Sequence, residues 1–560
     1  MFLYFEIFAN ICSRVLRRVG APVLDHNYTD TSNGGDSAIV NLNQWFNPGD
    51  QAYIIVASAM VLVMPAGLGF LYSGLARRKS ALSMIWACMA SFTIITFQWY
   101  FWGYSLAFSA SGTSGFIGDL YHFGLQNTLG LASPGSPLIP ELLYSFYQLQ
   151  FCATTAAIVV GAIAERGRLM PMMVFIFFWA TLVYCPLACW AWNTNGWAFK
   201  YGIMDYAGGG PVEIGSGMSA LAYSLILGKR QEKMMINFRP HNVSLIVLGT
   251  VLLWFGWLGF NGGSAFGANL RAVMACWNSC LTAMFAAWAW TLLDFRLARK
   301  WSMVGWCSGA ISGLVAATPA SGFITPWGSV VLGVVTGVVC NYATKVKYWM
   351  RIDDALDVFA EHAVGGMLGL FFNSLFGADY IIGLDGVNTG ILPGGWLNHN
   401  YAQMYIQVAY IVAVTAYSFV MSAILAFLIN MVPGLHLRAS EEAELLGMDD
   451  DQLGEFAYDY VEVRRDYLAW TPAKGEPGDG EAGAEDIPME ERHGIGFHKD
   501  LVAEKSRSNG SSEENGFPNA KLNPELEKRA HGRKPIVGDR HGQAAEAKLH
   551  PEMHPQDKRH

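Results

Sequence analysis

The chain reads as an all-α integral membrane protein of eleven transmembrane helices. Three observations predict this: apolar runs of membrane length recur along most of it, basic residues cluster in alternate loops, and one motif occurs twice. It has 560 residues, of which 52% are hydrophobic and 15% charged. That charge fraction lies well below the roughly 25% of soluble domains. A span needs about 20 predominantly apolar residues, and eleven stretches qualify: 52–74, 81–108, 141–164, 169–190, 208–228, 243–262, 270–293, 303–319, 327–344, 357–377 and 402–432.

The charges test that count independently. Basic residues gather at Arg77-Arg78-Lys79, at Arg166 and Arg168, at Lys229, Arg230, Lys233 and Arg239, at Arg296, Arg299 and Lys300, and at Lys345, Lys347 and Arg351. The loops between these carry only Lys200 and Arg271. Basic loops stay in the cytosol, so the pattern predicts an extracellular N-terminus and a cytosolic C-terminus.

Four regions follow. Residues 1–48 form an extracellular extension. Within it an apolar run, 2–12, precedes Arg14, Arg17 and Arg18, the reverse of the order in a signal peptide; Asn27-Tyr-Thr29 is a glycosylation sequon. Residues 49–432 form the membrane core. Residues 433–473 turn acidic but retain Leu, Phe, Tyr and Trp, and are expected to dock on the cytosolic side. Residues 474–560 lack the apolar content to form a core and are expected to be disordered. The net charge of −8 owes much to this tail and does not point to nucleic acid. Cys88, Cys152, Cys185, Cys307 and Cys340 lie in spans without metal-ligand spacing, which makes packing their expected role.

The repeated motif carries the chemistry. Asp205-Tyr-Ala-Gly-Gly-Gly-Pro-Val-Glu213-Ile-Gly-Ser-Gly-Met218 is echoed by Asp354-Ala-Leu-Asp-Val-Phe-Ala-Glu-His362-Ala-Val-Gly-Gly-Met367. In each, an Asp precedes an ionisable residue by eight positions, and Gly-Met follows it by four and five. An acid inside a span is costly and marks function by default; repeated elements of this kind are typical of transporters. Glu213 lies sixteen residues from Lys229, roughly 24 Å at about 1.5 Å per residue. His362 lies eleven from Arg351, about 16 Å by the same rise. The two helices run in opposite directions, so both residues fall near the bilayer centre, where a Glu–His pair can relay a proton or hold a cation. A lone buried histidine is as often a satisfied core residue, and Glu213 is the harder of the two to explain without function. Asp205 and Asp354 suit helix N-caps. Asp357, one turn before His362, is placed to orient it or to cap the same helix.

Most aromatics in spans pack or anchor. Trp192, at the outer end of the fourth span, Phe151 in the third, and Phe260 in Gly256-Trp-Leu-Gly-Phe-Asn-Gly-Gly-Ser264 are better placed. With the Ser264 hydroxyl they would suit a small cation through cation–π attraction and one hydrogen bond. No nucleophile–base pair or metal-ligand cluster occurs outside the predicted pore, which argues against an enzyme and against a cofactor.

At these residues the chain resembles the ammonium transporter (Amt/Mep/Rh) family. The resemblance runs through Asp205–Arg230, Gly67–Ser80, Gly161-Ala-Ile-Ala-Glu-Arg166, Gly256–Ser264 and Asp357–His362, and spans about residues 44–470. It implies a plasma-membrane homotrimer in contact with lipid, each subunit holding a pore made of two inverted five-helix repeats and a closing helix. It implies ammonium recruitment at Trp192, Phe151 and Ser264, a phenylalanine gate of Phe151 and Phe260, His362 as the second of two pore histidines, and Asp205 as support for the recruitment region. Glu213 stands where most of the family has the first pore histidine. A subset of fungal members shares this Glu, and with the long tail it gives the likeness of a fungal Mep-type permease. The expected activity is electrogenic ammonium uptake, with the proton relayed by Glu213 and His362. The alternatives are an ammonium sensor signalling through the tail, with a regulatory protein or kinase as partner, and a neutral ammonia or carbon dioxide channel.

Overall fold

In a computed structural model of the chain, residues 42–235, 239–386 and 392–458 are described. The extension before residue 42 with its Asn27 sequon, the end of the docking segment, and the tail 474–560 lie outside them. The described residues are all-helical, without a β-strand. Helices stand at all eleven positions: α1 (Pro48–Leu75), α2 (Arg78–Phe108), α3 (Glu141–Ile163), α4 (Leu169–Lys200), α5 (209–227), α6 (Val243–Gly263), α7 (Leu270–Ala298), α8 (Met303–Ala320), α9 (Pro326–Met350), α10 (Phe359–Phe376) and α11 (Ala402–Met431).

Nine of these are long and apolar enough to cross a membrane on their own, and α10 makes a tenth when taken with the bent segment Asp379–Asp385. The two that fall short alone are α5 and α10, the helices that carry Glu213 and His362. Glycines and ionisable groups (Glu213 in α5, Glu361 and His362 in α10) lower their hydropathy, and neither prevents burial inside a bundle. Both begin with a π-helical turn, Gly209–Ile214 and Phe359–Ala363, and each ionisable residue lies in that turn. π turns are rare and are found mostly at functional sites.

The two helices cross reciprocally: the body of α5 packs on the first turn of α10, and the body of α10 on the first turn of α5. Small residues permit the approach. A Cβ on Gly366 would sit 2.7 Å from Cβ of Glu213, and one on Gly217 would collide with the Ala363 backbone. Helices α3, α8 and α11 enclose this crossing.

At the end of the bundle that carries the basic loops, the charges are organised and buried. Arg230 pairs with Asp353 at 2.9 Å and with Glu165 at 2.8 Å, while Arg77 reaches Glu165 at 3.2 Å. The wholly buried Arg166 donates to the carbonyls of Gly228 (2.8 Å) and Asp353 (2.6 Å). Buried charges are tolerated only when paired in this way. The segment after α11 closes over the same face. Glu444 accepts from Arg438 and from the Gln231 amide, and Asp449 accepts from the amides of Leu82 and Ser83 at 3.0 and 2.8 Å. Ser80 makes no side-chain cap for α2, so a residue more than 360 positions away satisfies those amides.

Burial alone would raise the Asp353 carboxyl, but the Arg230 guanidinium beside it, with Arg166 behind, holds it well below the usual carboxylate range. A carboxyl depressed by folding stabilises the fold above its unfolded pKa of about 3.9, and the contribution is lost as pH falls through the folded value. Asp353→Asn is therefore expected to destabilise the detergent-solubilised protein by about 3 kcal/mol at pH 7. The gap between the two melting temperatures should narrow below about pH 4; a gap that is the same at pH 7 and pH 3 contradicts the assignment.

Candidate functional site

The π turn at the start of α5 is held by its own aspartate. Asp205 Oδ1 accepts from the amides of Gly208 (3.0 Å) and Gly209 (2.6 Å), and Oδ2 from the amide of Gly210 (2.8 Å) and the Tyr410 hydroxyl (3.1 Å). Gly208 takes φ of 112°, a conformation only glycine adopts without strain. Asp354 does the equivalent work for α10, where Oδ2 accepts from the Phe359 amide at 2.8 Å. Both aspartates act as caps, satisfying backbone donors that a buried helix start would otherwise leave unpaired.

Asp357 departs from its expected role. Its φ of 57° turns the chain, and its carboxylate pairs with Lys347 at 2.7 Å. The Asp357 carboxylate thus neither orients His362 nor caps α10; only the Asp357 carbonyl joins the helix, accepting from the Glu361 amide.

The two turns bring Glu213 and His362 together. His362 Nδ1 lies 2.8 Å from Glu213 Oε2, with Glu213 wholly buried and His362 nearly so. At that distance one proton is shared, because two bare acceptors would repel each other. Glu213 Oε1 makes no hydrogen bond. Among the described residues, the His362 side chain bonds only through Nδ1, which leaves Nε2 available.

On the other side of the pair stand the aromatics. The rings of Phe151 and Phe260 stack with centroids 3.7 Å apart and planes 19° from parallel, both fully buried. This contact leaves no room for water between the rings. Trp192 meets Phe151 edge-on at 6.2 Å, and its indole N–H donates to the Asp205 carbonyl at 3.3 Å. The Asp205 that caps α5 thereby also positions Trp192. Ser264 follows the last turn of α6 and donates to the Phe260 carbonyl at 2.8 Å, with the Tyr147 hydroxyl 3.4 Å away. Because its proton is committed to Phe260, the oxygen lone pairs of Ser264 can accept from an incoming N–H.

Three participants escaped the sequence reading. Trp257 packs 6.3 Å from Phe260 and donates to the Thr318 hydroxyl at 2.9 Å, which ties the stacked phenylalanines to α8. One aromatic among 19 Trp offers no signal of that kind. His122 and Glu141 meet at 3.2 Å, and Tyr104 donates to the same Glu141 oxygen at 2.7 Å. Tyr104, Phe108 and Trp192 are in ring contact in series, so this buried polar cluster is linked to Trp192. Glu141 at the apolar edge of a span was the available clue.

A crossing this tight makes the small residues testable. Gly366→Ala is expected to force α5 and α10 apart, costing about 1–3 kcal/mol as overpacking does, with Gly217→Ala behaving alike. Melting temperatures in detergent check this; parental values in both variants contradict the packing described.

Comparison with known proteins bears on the whole arrangement. A sequence model described as the Ammonium Transporter Family matches residues 52–458. Ammonium transporter MEP3 of Saccharomyces cerevisiae is 54% identical over 420 residues, covering 75% of this chain and 85% of that protein. Ammonium transporter 2 of Schizosaccharomyces pombe is 51% identical over 448 residues, covering 79% and 88%. The crystal structure of Candida albicans Mep2 superposes with a TM-score of 0.71 at 45% identity, over 76% of this chain and 94% of that one. The chain belongs to the ammonium transporter family, a family of membrane transporters and not of enzymes.

Proposed function

We propose that this protein carries ammonium inward across the plasma membrane, splitting the ion so that ammonia and the proton take separate routes. Trp192, Phe151 and Ser264 form the recruitment site. Aromatic faces attract the cation, and the Ser264 oxygen accepts one of its N–H groups. The basic face then lies in the cytosol and the vestibule outside, with three copies of the chain side by side among lipids, each with its own pore.

A charge entering the pore loses its water and gains nothing comparable from Phe151, Phe260 and Trp257. Desolvation of this kind favours the neutral form when an acceptor is near. Ammonia passes the parted phenylalanine rings, and the proton goes to Glu213, whose Oε1 has no hydrogen-bond partner among the described residues, the nearby Thr318 hydroxyl donating to the Leu314 carbonyl. The observation that carries the reading is the 2.8 Å contact between Glu213 and His362. A carboxylate and an imidazole sharing one proton form a relay that a neutral gas channel has no use for. Asp205 and Asp354 serve by holding the two turns, and Asp357 by holding Lys347.

The test uses Glu213→Gln, which keeps the size and one hydrogen bond of the side chain but cannot take up a proton. Ammonium-evoked current at saturating substrate should fall by about a hundredfold, as loss of a positioned acid–base group typically does. Current and pH dependence equal to the parent's would rule out the relay through Glu213.

A further inference from the structure

Beyond His362, on the side of the basic loops, the structure holds a second acid. Glu361 occupies the residue before His362 in the π turn of α10 and is buried. Successive residues rotate less per step in a π turn than in an α-helix, and Glu361 and His362 line one small cavity. Its volume of about 10 Å³ is room for one water molecule. Tyr72 and Ser308 complete its polar lining, and Leu71, Ile246 and Ile311 are among its apolar walls. A water there has the two to four polar partners it requires.

Among the described residues no cation or helix start accounts for this carboxyl group, whose hydrogen-bonding neighbour is the Ser308 hydroxyl. Glu361 has no ion-pair partner among the described residues, caps no helix, and stands apart from the buried arginine network. An acid kept inside a span without a cationic partner is costly. The charged groups facing it are Asp357, Asp354 and Lys347, and Lys347 is already committed to Asp357 and to the Asp354 carbonyl.

We infer that Glu361 is the third member of the proton path, receiving through one water the proton that leaves His362. The inference rests on the relay reading of Glu213 and His362. Glu213 delivers a proton to His362 Nδ1 while Nε2–H stays in place, giving the imidazolium. The ring turns about Cβ–Cγ, the Nδ1–H bond breaks as its proton passes to the cavity water, and the water gives one of its own protons to Glu361, forming an O–H bond there. The neutral ring, still protonated at Nε2, turns back, and Glu361 releases its proton toward the basic face. Ammonia takes no part in these steps, and the proton count is conserved throughout.

Ammonium-evoked currents from the full-length protein, normalised to surface abundance, test this in Glu361→Gln with Glu213→Gln measured in parallel. The expected result is a loss of about tenfold or more in Glu361→Gln. Should that variant fail to reach the surface, Glu361→Asp replaces it: the carboxylate is kept but withdrawn from the cavity, and a several-fold loss is expected. Parental current in the variant that reaches the surface overturns the inference. If Glu213→Gln loses current while the Glu361 variant does not, only the third step fails; parental current in both removes the relay as well.

Discussion

One hydrogen bond organises this molecule: the 2.8 Å contact between Glu213 and His362, enclosed in the bundle. The acid is costly there alone. An unpaired carboxylate in low dielectric carries a penalty of several kcal/mol, and a histidine beside it is the economical remedy because one proton serves both. Bringing them together imposes three conditions. Two antiparallel helices must cross almost at backbone contact, which Gly217 and Gly366 allow. Each helix must begin inside the protein, which the Asp205 and Asp354 caps allow. Each must open its first turn into a π turn so that the side chain points into the crossing.

The same parts join the pair to the vestibule. Asp205 holds the start of α5 through three amides and, through its carbonyl, holds Trp192, so the geometry of Trp192 and that of Glu213 are set by one residue. At the opposite end, Arg166 links the loop after α3 to Gly228 and Asp353, which adjoin the ends of α5 and α10. The segment around Glu444 and Asp449 is bonded into that region as well. A displacement of the segment would uncover the Leu82 and Ser83 amides and loosen the contacts around Gln231, so its position is coupled to the ends of the pore helices by a continuous set of hydrogen bonds.

Much of the fold is legible in the sequence because a bilayer permits so few solutions. Apolar length places the helices, and basic loops order them; the observed ends of most helices lie within a few residues of the expected ones, α4 and α9 running longer. The site is legible only in part. Glu213 and His362 stand out because an ionisable group in a span is conspicuous, and two distances counted from basic loops bring them level. Asp357 misleads because spacing along an ideal helix places it under His362, whereas a positive φ at that residue ends the regularity and directs it to Lys347. Trp257 and the His122–Glu141 pair are hidden for a different reason: their importance arises from tertiary contacts, with Thr318 for Trp257 and with Tyr104 for Glu141, that no local pattern announces. Glu361 is adjacent to His362 in the sequence, but that the two line one cavity is a matter of three-dimensional packing that adjacency alone does not reveal.

The central claim is that ammonia and a proton cross together by separate routes. The most direct measurement is the ratio of charge to substrate in proteoliposomes containing the purified protein, taken by recording current and labelled methylammonium uptake under one imposed gradient. One elementary charge for each molecule taken up is the predicted result. Uptake without charge movement, at a rate set only by the concentration of the neutral amine, would contradict the account.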